Sequence, residues 1–112
     1  MNILYEDNHL LAVEKPYGVP SQADETGDDD MLSLCKAYIK EKYNKPGNVY
    51  LGLVHRLDRP TGGVMVFART SKAAARLAAQ MKSGEFEKTY LAVLTAAPPE
   101  REGTLVHWLV KD

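Results

Sequence analysis

The sequence has almost no cysteine, no long apolar run and little net charge. These features restrict the kinds of structure and binding site that the chain can form. Cys35 is the single cysteine among 112 residues, which excludes an internal disulfide. No Cys or His stands beside it at the spacing of zinc ligands, so we expect a small buried apolar residue rather than a reactive thiol. The longest apolar stretches, such as residues 64–68, are too short to cross a bilayer, and no charged-then-apolar leader precedes them. These features predict one soluble, cytoplasmic domain, or part of one.

The acidic residues are unevenly distributed, although the formal net charge is only −1. Five of them lie between Asp24 and Asp30, a segment without Lys or Arg, which leaves 14 basic against 10 acidic residues in the rest of the chain. This balance permits RNA binding without requiring it, because an ordinary mixed-charge surface has a similar composition.

The first half of the chain reads as a hairpin, a loop and a helix. Residues 3–5 and 9–14 are β-prone or apolar with turn formers between them, which predicts two paired strands. Two prolines and Gly18 then interrupt regular pairing. From residue 31 to residue 43 the apolar side chains recur at helical spacing, and the three aspartates at 28–30 are placed to cap that helix.

The second half continues with strands on both sides of a polar loop, followed by another helix. Residues 49–54 and 64–69 are rich in β-branched and apolar residues and predict two strands. Thr70 or Ser71 can cap the second helix, in which apolar residues repeat at core spacing until Gly84 ends it.

Two more strands are predicted near the end of the sequence. Residues 89–95 read as a buried strand and residues 103–110 as a further one, with Trp108 in the core or at an edge contact. Because strands outnumber helices and both helices can cover one face of a sheet, we expect an α+β fold with a mixed, mainly antiparallel sheet. The sequence stops just after the last predicted strand, so we also expect an open sheet edge and homodimerisation through it.

The loop at residues 55–63 carries the strongest chemical signal, because it places Asp58 between Arg56 and Arg59 directly after a strand. A carboxylate near guanidinium groups stays ionised, which suits a nucleophile or an electrostatic stabiliser better than a general acid. The two arginines are also natural phosphate ligands. Residue types alone allow a second reading, a surface salt-bridge loop in which Asp58 only accepts bonds from its own turn.

The same loop resembles a known signature. His-Arg-Leu-Asp at residues 55–58, followed two residues later by Thr-Gly-Gly, is similar to the sequence around the catalytic aspartate of RluA-type RNA pseudouridine synthases. Residues 13–19 resemble the family's earlier Lys-Pro-x-Gly segment. The succeeding strand, helix start and strand are matched at residues 64–68, 71–74 and 86–93. The likeness therefore extends in order from about residue 2 to residue 95.

The resemblance implies an isomerase that converts uridine to pseudouridine within ribosomal or transfer RNA, with no cofactor and no metal. The N1–C1′ bond breaks, the uracil turns, and C5 bonds to C1′. Asp58 would be the essential carboxylate, attacking the sugar, adding to the ring or removing a sugar proton. Since stacked RNA hides the ribose carbon, the target nucleotide must first be flipped out, at a cost of a few kcal/mol in lost stacking.

Other site residues follow from the resemblance in the same way. Arg56 would help to displace the base and bind phosphate, or form a structural salt bridge. Tyr90 would pack on the flipped uracil, although a Tyr in an apolar strand is more often a core residue. Lys88 would bind RNA phosphate or simply project from the sheet. Lys15 would also bind RNA, although a turn of the Lys-Pro-x-Gly type has structural reasons to exist. Arg59 is predicted to bind RNA phosphate from its residue type alone.

Two departures from the family pattern shape the expectation further. Gly62 stands where the family usually has Ser, and we expect it to loosen the loop. The family's catalytic domain also runs considerably further and supplies a later basic residue that would pair with Asp58. We therefore expect residues 1–112 to be a partial catalytic domain that lacks its C-terminal half and turns over little by itself. The alternatives are an inactive RNA-binding module and a self-associating fragment.

His55 is expected to fix the loop by hydrogen bonds rather than to move protons.

Overall fold

The computed structural model describes residues 1–111. Its elements in chain order are β1 (Asn2–Glu6), β2 (Leu10–Lys15), α1 (Met31–Lys42), β3 (Gly52–Leu53), β4 (Gly63–Ala68) and α2 (Ser71–Ser83). The four strands form one sheet in the order β1-β2-β4-β3, and every pairing in it is antiparallel. The predicted α+β class with a mainly antiparallel sheet is confirmed.

The hairpin of β1 and β2 is confirmed, and a side chain closes its turn. Asp7 Oδ1 accepts the backbone N–H groups of His9 and Leu10, each at 2.7 Å. An Asp that bonds to the backbone ahead of it is a standard way to reverse a chain. The register shifts between Ile3 and Tyr5, so one residue of β1 bulges out of the ladder.

The core lies between one face of the sheet and α1. Side chains alternate across a strand, so every second residue of β2 and β4 points to this face. The fully buried members are Leu11, Val13, Met65 and Phe67 from the strands, and Met31, Cys35 and Ile39 from α1. Burial raises the pKa of the Cys35 thiol to about 12, with a smaller contribution from the Asp30 charge. The prediction of a buried cysteine is confirmed.

Both helices begin and end as the sequence predicts. The Asp30 carboxylate accepts the Ser33 N–H at 3.0 Å and caps α1. Thr70 caps α2 by accepting the Ala73 N–H at 3.1 Å, and Gly84 ends it with a φ of 81°. These caps satisfy backbone groups that a helix terminus leaves open.

The two helices do not share a face of the sheet, contrary to the expectation. Ala68 alternates with the core residue Phe67 and lies opposite Gly52 in the register of β3 and β4. A Cβ on Gly52 would lie 3.2 Å from the Cβ of Ala74 and 3.4 Å from that of Ala68. Therefore α2 packs on the face opposite α1, and small residues allow the close approach.

The described helices, α1 and α2, are both too short and too polar to span a bilayer.

Three strand predictions are wrong in part or in full. Only Gly52–Leu53 pairs within the predicted strand at residues 49–54. Residues 89–95 and 103–110 form no strand in the described chain, and their side chains face solvent. Leu91, Val93 and Trp108 are 101%, 102% and 96% exposed, so Trp108 is neither a core residue nor an edge contact. β-prone composition produces a strand only where a partner edge and a covered face are available.

Candidate active site

An open groove of about 930 Å³ lies beside the loop that connects β3 to β4. Its walls come from Leu53 at the end of β3, from residues 54–59 of that loop, from residues 20–24 of the loop before α1, and from Met81 and Lys88. The Asp58 side chain is exposed and lines this groove. A catalytic carboxylate needs such a position, because it must meet a substrate from solvent.

The backbone around Asp58 is turned sharply and then enters β4. The Asp58 carbonyl accepts the Thr61 N–H at 2.9 Å, which closes a turn over residues 58–61. Gly63 begins β4 opposite Lys15 with a φ of 144°, a backbone angle that residues other than glycine rarely adopt. The second glycine of the Thr-Gly-Gly segment is therefore required by the backbone.

Lys15 fastens this turn from inside the protein. Its side chain is only 1% exposed, and Nζ donates to the carbonyl oxygens of Pro16, Arg59 and Thr61 at 3.1, 3.1 and 2.6 Å. Burial lowers the pKa of Lys15 and the nearby Arg59 charge acts in the same direction, while the Asp58 charge opposes them. The expectation that Lys15 contacts RNA phosphate is contradicted by this geometry, because all three N–H groups of an ammonium are already used.

Ser21 holds the other side of the turn and was missed in the sequence. Its Oγ donates to the Leu57 carbonyl at 2.5 Å and accepts the Leu57 N–H at 3.0 Å. Both residues are buried, so these bonds replace the strand pairing that Leu57 lacks. No local pattern could reveal this contact, because the partners are 36 residues apart.

His55 secures the start of the loop against β4. Its Nε2 accepts the Val66 N–H at 3.0 Å, and its ring lies 5.6 Å from the ring of Phe86. Burial lowers the pKa of His55, with a smaller effect from the Lys88 charge. The neutral imidazole is therefore a structural acceptor, which confirms that His55 fixes the loop through a hydrogen bond.

Arg59 binds other partners and forms no hydrogen bond or ion pair with the Asp58 carboxylate in the described chain, contrary to the idea of a carboxylate enclosed by two guanidinium groups. Its Nη1 donates to Asp28 at 2.9 Å and to the Gly18 carbonyl at 3.3 Å. Its Nη2 donates to Asp24 at 2.7 Å and to the Thr26 hydroxyl at 3.0 Å. The acidic run therefore does more than cap α1, since only Asp30 performs that task.

The other predicted site residues differ in their relation to the groove. Arg56 and Lys88 are exposed and line it together with Asp58. Tyr90 is 58% exposed and is not among the described residues that form the walls. Within residues 1–111, no hydrogen bond or ion pair engages the Asp58 carboxylate. The structure thus brings Asp58, Arg56 and Lys88 together and leaves Tyr90 outside.

Gly62 has a packing role that the sequence did not reveal. A Cβ at this position would lie 3.3 Å from the Lys15 carbonyl oxygen and 3.5 Å from the Tyr17 N atom. The glycine therefore accompanies a close approach of the loop to residues 15–17, rather than the loosening that we expected.

Comparison with known proteins assigns the chain to a family. The model of the RNA pseudouridylate synthase family matches residues 9–112. The chain belongs to the RNA pseudouridine synthase family. A ribosomal large subunit pseudouridine synthase D from Xanthomonas campestris is 37% identical over 97 residues, which cover 87% of this chain and 29% of the relative. The mitochondrial pseudouridylate synthase RPUSD4 of Xenopus tropicalis is 35% identical over 92% of the chain and 32% of the relative.

A solved synthase structure supports the fold as well. Human RNA pseudouridylate synthase domain containing 4 superposes with a TM-score of 0.63 at 27% identity, covering 75% of this chain and 30% of the human chain. The resemblance to RluA-type synthases is thereby confirmed. This family member spans about a third of the length of the relatives that it matches.

The neutral His55 predicts a pH dependence of stability. In the unfolded chain His55 takes up a proton near its ordinary pKa of 6.5, whereas in the folded chain burial, and to a smaller extent the Lys88 charge, lowers the pKa of the ring. The neutral ring is the form that accepts the Val66 N–H. The free energy of unfolding should therefore decrease as the pH falls from 7.5 to 5.5, by at most about 1.4 kcal/mol per pH unit. Denaturant titrations at both pH values measure this slope.

His55→Gln should reduce the slope, since glutamine offers an acceptor that does not titrate, and the exposed His107→Gln should leave it unchanged. Equal slopes in all three proteins would contradict the assignment. The lowered pKa of about 2 at Glu6 places its loss of stabilisation between about pH 4.5 and 2, below this window.

Proposed function

We propose that this chain carries the catalytic aspartate of an RNA pseudouridine synthase and that Asp58 is this residue. The observation that supports the proposal is the contrast between Asp58 and its neighbours. Leu57 is buried and bonded on both backbone groups to Ser21, whereas Asp58 is exposed on the groove. An exposed carboxylate on a firmly held backbone is arranged to meet a substrate with little reorganisation.

The proposed reaction requires that the Asp58 carboxylate is ionised and lies beside the nucleotide. Attack on the ribose carbon, addition to the uracil ring and removal of a sugar proton all require an ionised carboxylate beside the nucleotide. The N1–C1′ bond breaks, C5 bonds to C1′, and the C5 hydrogen leaves to solvent while N1 gains a proton. No external oxidant, reductant or group donor is needed, because the reaction is an isomerisation.

The groove is large enough for one nucleotide taken out of its strand. Its volume of about 930 Å³ falls in the range of about 300–1,000 Å³ that is usual for small-molecule sites. We propose that a flipped uridine enters here and that Arg56 and Lys88 bind the neighbouring phosphates. We also propose that Tyr90 stacks on the uracil after residues 89–95 move over the groove, since the ring lies outside the walls in this structure.

Ribosomal RNA is the substrate class that we propose. The Xanthomonas campestris relative is named for the large ribosomal subunit, and a second relative named in the same way comes from Pseudomonas aeruginosa at 35% identity. Transfer RNA is the alternative that the same assay should include, because recognition of either RNA depends on its shape around the target uridine.

Tritium release tests the catalytic proposal in the protein whose reading frame contains this chain. RNA labelled at C5 of uridine should lose tritium to water with the unaltered protein. Asp58→Asn keeps the size of the side chain and removes its charge, so the rate should fall by at least about 100-fold. Asp29→Asn, a change in the exposed acidic run, should keep nearly full activity. Comparable release by the Asp58→Asn protein would refute the role of Asp58.

The proposed phosphate contacts of Arg56 and Lys88 predict a change in the salt dependence of RNA binding. Each substitution, Arg56→Gln or Lys88→Gln, should weaken binding for all sequences and reduce the slope of log K against log salt by about 0.7 to 0.9. Fluorescence anisotropy with a labelled ribosomal RNA fragment measures both quantities. Lys45→Gln, which lies outside the groove, provides the matched control. A slope that both groove variants leave at the unaltered value would exclude these contacts.

Self-association is a second candidate function that one observation favours. Leu91, Val93, Trp108 and Leu109 are each at least 94% exposed, and such a series of uncovered apolar side chains favours contact with another protein surface. The edge strands β1 and β3 also leave backbone groups open to pairing. We propose that the 112-residue chain forms a homodimer through the exposed apolar side chains of residues 91–109.

Sedimentation velocity tests the dimer. The chain should shift from monomer to dimer as its concentration rises, and the shift should persist at high salt because apolar contacts are not screened. Val93→Lys together with Trp108→Lys should move the transition to higher concentration. A monomer throughout the micromolar range would rule out this candidate.

A further inference from the structure

Arg59 makes the kind of contacts that an arginine makes to a phosphate group, but its partners are carboxylates of the protein itself. The two terminal nitrogens of its guanidinium donate to Asp24 and Asp28 at 2.7 and 2.9 Å. A phosphodiester offers the same feature, which is two anionic oxygens within reach of one planar fork. We call the arrangement of Arg59 with Asp24 and Asp28 the acidic clasp.

The acidic clasp lies beside the catalytic groove. Asp24 and Arg59 line the same groove as Asp58, Arg56 and Lys88. An RNA strand that places a nucleotide at Asp58 therefore brings its phosphates close to the Asp24 carboxylate. The Asp24 carboxylate would repel these phosphates, most strongly where the strand passes nearest to the loop, because both groups are negatively charged.

The contacts of the clasp are exposed enough to exchange. The side chains of Arg59, Asp24 and Asp28 are 36%, 38% and 59% exposed. Solvated ion pairs of this kind contribute little net stability and are screened by salt, so an incoming anion can replace them at small cost. In contrast, the buried bonds of Lys15 and Ser21 hold the backbone of the turn independently of the clasp.

We propose that Asp24 and Asp28 occupy the guanidinium of Arg59 until an RNA phosphate displaces them. The inference rests on the proposed RNA-binding function and adds a regulation of that site. Arg59 then has two alternative sets of partners, and the acidic loop is released when the strand binds. The clasp lowers the affinity for RNA and disfavours any polyanion that cannot also place a phosphate at Arg59.

The chain contains a matched set of acids for the test. Asp24→Asn with Asp28→Asn removes two charges that contact Arg59. Glu25→Gln with Asp29→Asn removes two charges from the same loop at positions without a hydrogen bond or ion pair among the described residues. Asparagine at position 24 retains the Oδ1 atom that accepts from Thr26, so the local turn is preserved. Circular dichroism checks that each variant is folded.

Anisotropy of a fluorescent, uridine-containing RNA oligonucleotide at one fixed salt concentration measures the affinities. The Asp24/Asp28 double variant should bind about two- to tenfold more tightly than the Glu25/Asp29 control. In an Arg59→Gln background this difference should become clearly smaller, because the guanidinium that both anions share is absent and only the direct repulsion between Asp24 and the RNA remains to be relieved. Asp28→Asn alone removes one contact and should give a smaller gain, which keeps the test decisive if the double variant folds poorly.

The outcomes separate the two proposals. Equal gains in the clasp and control variants, or a gain of undiminished size in the Arg59→Gln background, would overturn the acidic clasp and leave RNA binding intact. Absence of RNA binding by the unaltered chain and by every variant would overturn the proposed RNA-binding function instead.

Discussion

The hydrogen bonds that join residues 15–21 to residues 57–61 are the constraint on which the candidate site depends. Lys15 enters the loop from the sheet side, Ser21 bonds both backbone groups of Leu57, and Gly18 N donates to the Arg59 carbonyl at 2.8 Å. The partners come from segments separated by more than 35 residues, so these bonds depend on the tertiary fold that brings the two segments together. These bonds hold the backbone at position 58, so the exposed Asp58 carboxylate is kept on the groove.

This constraint uses a charged group where an apolar one would not serve. A buried ammonium is costly unless each of its N–H groups finds an acceptor. Lys15 meets that condition with three carbonyl oxygens, two of which belong to the turn beside Asp58. An apolar residue at position 15 could fill the volume, but it would leave these carbonyls without a donor. The Lys-Pro-x-Gly segment and the loop around Asp58 are therefore one structural unit, although the sequence presents them as two motifs.

Local signals predicted the parts of the fold that local interactions determine. The hairpin turn at Asp7, the caps at Asp30 and Thr70, and the helix end at Gly84 each depend on residues within a few positions, so they could be identified from the sequence. The partners of Ser21 and Arg59 could not, because they lie far away in the chain. Strands at residues 89–95 and 103–110 were predicted from composition, yet a strand requires a partner edge that the described chain does not provide there.

The division of charges around the loop explains why counting them in the sequence was misleading. The motif presents two arginines and one aspartate, and the nearby segment adds a lysine, which suggests a cluster aimed at RNA. In the structure Lys15 and Arg59 are engaged by the protein's own carbonyls and carboxylates, while Arg56 and Lys88 remain exposed on the groove. A cation that is paired with groups of the protein itself contributes little to the electrostatic potential outside this face, because its charge is already compensated. The electrostatic attraction of this face is thus set by the few cations that the fold leaves uncompensated.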